Sequence, residues 1–167
     1  MKNIVLIGMP GSGKTTFGRY LAEMLRRDFI DADPEIEKDA GRSIPELFED
    51  GEDVFREAES ATVLRLAALH GKVLAMGGGV VLRPENITRL HRTGMIIFLD
   101  RAPADIIKDV DTTTRPLLTA GRERIFNLYA QRQQLYLAAA DCVVPNRGPV
   151  KEVLKQLFQA VKDLNLA

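Results

Sequence analysis

The chain has 167 residues and sets 23 Lys plus Arg against 23 Asp plus Glu, which leaves it without formal net charge at pH 7. Such a balance gives no field to draw it to nucleic acid or an anionic membrane, so basic chemistry must come from individually placed arginines. The length fits one compact domain over 1–167, the single Cys142 excludes an internal disulfide, and no apolar run approaches the roughly 18 residues of a membrane span.

The first element predicted is a strand at Ile4–Ile7, which begins without a charged leader and so suits a cytoplasmic protein. It empties into Gly8–Thr16, GMPGSGKTT, a full match to the G-x-x-x-x-G-K-[ST] phosphate loop. Glycines at 8, 11 and 13 let consecutive N–H groups converge on one anion, Lys14 adds a mobile charge, and Thr15 offers an oxygen to Mg²⁺. The helix predicted from Lys14 to Arg27 adds the positive end of its dipole. This half of the chain binds a nucleoside triphosphate.

A short strand at Phe29–Asp31 comes next, followed by a helix over 33–40. Asp31 and Asp33, two residues apart in extended geometry, present their carboxylates on one side, and Pro34 favours the extended form of Asp33. One carboxylate suits Mg²⁺, the other the proton of an acceptor hydroxyl. Asp33 also has the position of an N-cap for a helix starting at Pro34.

Helices are predicted over 44–49 and 53–70, the second with Val54, Ala58, Ala61 and Leu64 facing inward. On that helix Arg56 is spaced i, i+4 from Glu52 and i, i+3 from Glu59, the pattern of a surface salt bridge. A third strand, Val73–Ala75, leads to Gly77, Gly78 and Gly79, whose backbone N–H groups lie open to a closely packed ligand. Further helices are read over 84–92, 102–110, 122–139 and 149–164, with strands at Met95–Leu99 and Cys142–Val144. Cys142, between apolar neighbours, reads as a small buried hydrophobe.

Alternation of short apolar strands with helices predicts a parallel sheet covered on both faces. Such sheets bind ligands beyond the carboxyl ends of their strands, where the phosphate loop, the Asp pair, the glycine triplet and Asp100 all fall. The stretch 109–122 resists assignment to a helix or strand and reads as a mobile loop carrying Arg115, a residue able to reach over transferring phosphates. Arg132, on the long helix after it, has the spacing of one more solvated charge.

Taken in order, GMPGSGKT, Phe29–Asp33, Gly51-Glu52 with Phe55-Arg56 and Glu59, the Gly77–Gly79 triplet, Arg115-Pro116-Leu117-Leu118, and Arg132 with Leu135-Tyr136 resemble the shikimate kinase family over nearly the whole chain. The resemblance implies a three-layer, nucleoside-monophosphate-kinase-like α/β fold with a five-stranded parallel sheet, a substrate-binding region at about 33–61 and a lid at about 109–122. It implies transfer of the γ-phosphate of MgATP to the 3-hydroxyl of shikimate by a monomer. ATP would lie on Gly11, Ser12, Gly13, Lys14, Thr15 and Thr16, with Arg115 over its phosphates and Arg147, or Lys108, against adenine. Arg56 and Arg132 would hold the acceptor carboxylate and Glu59 would orient them. Asp33 would bind ring hydroxyls and act as base, and Gly77, Gly78 and Gly79 would give backbone contacts. Thr15 and Asp31 remain the Mg²⁺ ligands. Two other readings keep the phosphate loop: a kinase of another small hydroxy acid such as gluconate, and a nucleotide-binding regulatory module without turnover.

Overall fold

The computed structural model of the chain describes residues 1–110 and 119–166. Five strands, β1 (Asn3–Ile7), β2 (Phe29–Asp31), β3 (Val73–Ala75), β4 (Gly94–Asp100) and β5 (Cys142–Pro145), form one sheet in the order β2-β3-β1-β4-β5. Every pairing is parallel, and Leu6 pairs with Ala75 on one side and Ile97 on the other. The chain leaves the central strand β1 toward the edge at β2 and then runs back across the sheet through β3, β4 and β5, which makes β1 the switch point at which open α/β sheets place their ligands.

Successive residues of β1 serve opposite layers, as strand geometry requires. Val5 and Ile7 join Leu74, Ile96 and Phe98 in a core closed by α4 (Glu52–Ala67), α5 (Pro84–Thr93) and α7 (Thr119–Ala139). Ile4 and Leu6 join Val73, Ile97 and Leu99 beneath α1 (Lys14–Leu25) and α8 (Val150–Asp163). Ile36, Leu47 and Phe55 make a smaller cluster that ties α2 (Ala32–Ala40) and α3 (Ile44–Glu49) to α4. Phe55 of this cluster, with Ile44 packed against it, lines a cavity at the end of the sheet. A short helix, α6 (Pro103–Val110), completes the described elements with a 3₁₀ turn at Val80–Leu82.

Local chemistry sets the boundaries. Gly13, at φ 95°, turns the chain from loop into α1, and Arg26 in the left-handed region stops that helix at Leu25, earlier than predicted. Ser43 and Glu46 form a reciprocal capping box at the start of α3.

Three sequence expectations change. Asp33 is not an extended N-cap: Asp31 caps α2, its Oδ1 accepting from the Asp33 N–H at 3.1 Å, and Asp33 lies inside the first turn. Proline disfavours helix in the residue before it only through a local clash, and the cap on Asp31 outweighs that preference here. On α4 the inward stripe is Phe55, Arg56, Glu59, Val63 and Leu66, whereas Val54 and Leu64 are exposed. Arg56 and Glu59 are thus a buried pair and not a surface salt bridge. Cys142 is half-buried on the edge strand β5 rather than in the core.

Candidate active site

The carboxyl ends of β1, β2 and β3 open into one cavity of about 610 Å³, within the usual range for small-molecule sites. Gly11, Gly13, Lys14, Thr15 and Thr16 line one side of it. Asp31 and Asp33 stand at its floor, and Arg56, Glu59, the Gly77–Gly79 triplet and Arg132 line the rest. Residues expected from the sequence to serve donor and acceptor therefore meet in a single space.

On the donor side Lys14 is buried, and its Nζ donates to the Gly8 and Met9 carbonyls at 2.8 Å each. Burial lowers its pKa from 10.5 to about 8, with Asp33 and Asp31 opposing and Arg132 adding to the fall. Thr15 Oγ1 donates to Asp31 Oδ2 at 2.7 Å, which joins the start of α1 to the end of β2. Ser12 is wholly buried beneath the loop, with its hydroxyl 3.4 Å from Lys14 Nζ.

Two residues absent from the sequence reading brace this loop. Asn146 Nδ2 donates to the Ser12 carbonyl at 2.8 Å, and Arg101 Nη1 donates to the Gly11 carbonyl at 3.0 Å. Because a trans peptide points its C=O and N–H in opposite directions, holding the Ser12 carbonyl outward turns the Gly13 N–H the other way. Neither residue belongs to a local motif, and each reaches the loop only because the sheet sets β4 beside β1 and β5 beside β4.

On the acceptor side Arg56 Nη1 donates to Glu59 Oε1 at 2.8 Å, with Arg56 8% and Glu59 1% exposed. The other carboxylate oxygen of Glu59 has no hydrogen-bond partner among the described residues. Burial raises the Glu59 pKa against the pull of Arg56. Asp33 is raised as well, by burial first and by neighbouring Asp31 second, with Lys14 opposing. A Cβ at Gly77 would stand 3.1 Å from Glu59 Oε2 and 3.2 Å from Asp33 Oδ1, so both carboxylates converge on the glycine triplet. The apolar part of this wall, Phe48 stacked on Phe55 with centroids 4.4 Å apart, went unnoticed in the sequence.

The arrangement offers anion-binding donors at one end, fixed guanidinium groups at the other and a carboxylate of raised pKa between them. That combination suits phosphoryl transfer from a nucleotide to a small hydroxylated anion.

The shikimate kinase family model matches residues 10–162. The chain belongs to the shikimate kinase family. It is 43% identical over 164 residues to a shikimate kinase of Clostridium beijerinckii, covering 98% of this chain and 97% of that one. A shikimate kinase of Clostridium botulinum, strain Eklund 17B, is 45% identical over 162 residues, covering 96% and 98%. The solved structure of the Acinetobacter baumannii shikimate kinase in complex with shikimate superposes with a TM-score of 0.89 at 31% identity, covering 100% of this chain and 96% of that one. The three-layer, five-stranded fold expected from the sequence is that of the shikimate kinase family.

Some expected residues lie apart from the cavity. Arg147 is exposed and lines a separate hollow of about 190 Å³ with Arg101, Lys108 and Asn146. Arg115 lies with 111–118 outside the described residues, while both ends of the loop expected at about 109–122 are helical, 109–110 closing α6 and 119–122 opening α7. Among the described residues no helix is long and apolar enough to cross a membrane.

Proposed function

We propose that the protein transfers the γ-phosphate of ATP to the 3-hydroxyl of shikimate, giving shikimate 3-phosphate and ADP on the way to chorismate and the aromatic amino acids. One observation carries this reading: a complete phosphate loop shares its cavity with the buried Arg56–Glu59 pair, Arg132 and Asp33 in a chain of the shikimate kinase family. ATP lies on Gly11 to Thr16, and Lys14 exchanges its loop carbonyls for phosphate oxygens. Arg56 and Arg132 receive the carboxylate, since two planar guanidinium forks match one planar anion. Glu59 fixes Arg56 and leaves an oxygen for a ring hydroxyl. Asp33 takes the proton of the attacking hydroxyl, its carboxylate made more basic by burial and by neighbouring Asp31. The lid residue Arg115 neutralises charge on the transferring group, and Arg147 or Lys108 lies against adenine.

Magnesium fits the residues present. Thr15 Oγ1 and Asp31 Oδ2, 2.7 Å apart, are hard oxygen donors beside the phosphate loop. Magnesium is commonly held by one or two protein oxygens together with water and substrate phosphate. Thr15 and Asp31 would hold it, and the bound ion would neutralise phosphate charge during transfer. In this reading the protein works as a monomer in the cytoplasm on diffusible substrates.

An ADP-release assay with a panel of acceptors tests the assignment. Turnover with shikimate and little with gluconate or nucleoside monophosphates is expected. A preference for another acid would transfer the acceptor half to a different substrate.

A further inference from the structure

Tyr136 is the largest wholly buried side chain among the described residues, and the chemistry assigned above leaves it unused. A buried phenol needs a partner for its hydroxyl, and this one donates to the Gly78 carbonyl at 2.6 Å. Its ring is held against Phe98 of β4 with centroids 5.0 Å apart. The contact therefore links α7 to the glycine triplet after β3, with its geometry fixed by the sheet.

The peptide between Gly78 and Gly79 is trans, so its carbonyl and its N–H point in opposite directions. Anchoring the Gly78 carbonyl on Tyr136 turns the Gly79 N–H away from α7. Gly79 is buried, and its N–H makes no hydrogen bond among the described residues. Buried N–H groups without partners are rare in folded proteins, and one at a cavity wall is free to donate to a molecule that enters the cavity. Arg56 lies directly against Gly79, and both residues line the cavity. Arg132, one turn before Tyr136 on α7, shares its helix face; burial raises the pKa of the phenol, and the charge and hydrogen bonding of Arg132 oppose that rise.

We propose that Tyr136 is a positioning residue for the acceptor. Its hydroxyl fixes the Gly78–Gly79 peptide so that the Gly79 N–H joins Arg56 and Arg132 in holding the acid. The inference rests on the acceptor reading given under Proposed function.

Tyr136→Phe tests it, because the ring and its packing remain. The expected result is a KM for shikimate raised about five- to tenfold with the KM for ATP changed less than about twofold, the size of one lost hydrogen bond. Calorimetric titration of the folded variant with shikimate should show the same selective weakening, whatever the yield of folded protein. Equal affinities in the two proteins, or equal weakening toward shikimate and ATP, would overturn the positioning role. Failure of the unaltered protein to bind shikimate would overturn the acceptor reading itself.

Discussion

Arg56 occupies the space that a side chain at position 79 would need. A Cβ on Gly79 would lie 2.5 Å from the guanidinium carbon of Arg56, well inside contact distance. The end of a long side chain can usually move aside, but this one is buried and bound to Glu59 at 2.8 Å. Moving it separates a buried ion pair, a costly change because a charge loses its partner.

Gly79→Ala should therefore act on the acid and spare the nucleotide. A fall of about tenfold or more in kcat/KM for shikimate is expected, since breaking a buried pair costs more than one ordinary hydrogen bond. Steady-state kinetics with each substrate varied in turn give the comparison. An alanine variant with unchanged shikimate kinetics would show that Arg56 moves freely and that its fixed position has no importance.

Burial acts on Lys14 and Asp33 in opposite senses and so sets two pH limits. The carboxyl of Asp33 is raised, so its proton is lost at higher pH than from an ordinary carboxylate. The ammonium of Lys14 loses its charge as pH rises through about 8. Since kcat/KM reports the free enzyme, its profile for ATP should be a bell. The acid limb should lie above the usual carboxylate range and the alkaline limb near pH 8. A profile flat from pH 7 to well above 9 would contradict the burial of a charged Lys14.

Asp33→Asn removes the base while keeping the shape of the side chain. kcat should fall by about 10²- to 10⁴-fold, the usual worth of general base catalysis, with ADP affinity by calorimetry nearly retained. Near-normal turnover would limit Asp33 to a place in the first turn of α2.

Arg132→Lys keeps the charge and loses the planar fork. The KM for shikimate should rise about tenfold, as for one lost charge-assisted hydrogen bond, with a smaller change for ATP. Equal weakening toward both substrates would remove Arg132 from the carboxylate.

The order of elements was legible because each strand is a short apolar run closed by a polar or glycine-rich turn. The phosphate loop was legible because its chemistry is local. The wall of the acceptor site was less so. On α4 the sequence pattern favours Val54, Ala58, Ala61 and Leu64 as the inward face, since Arg56 and Glu59 are charged. The structure turns the helix the other way because the two charges pair with each other and line a cavity instead of facing solvent. Periodicity weighs hydrophobicity alone and misses a buried polar stripe of this kind. Tyr136, Asn146 and Arg101 were hidden for a different reason. Each acts on a backbone carbonyl distant in sequence, Gly78, Ser12 and Gly11 respectively, and no spacing within the chain announces such a contact.

Phosphorus NMR of purified protein incubated with MgATP and shikimate tests the central claim most directly. The expected result is a new phosphate monoester on the 3-hydroxyl, formed in step with ADP and absent when gluconate replaces shikimate. ADP formed without that ester, or an ester formed equally well on gluconate, would contradict the reading of Arg56, Arg132 and Asp33 as the acceptor half of the site.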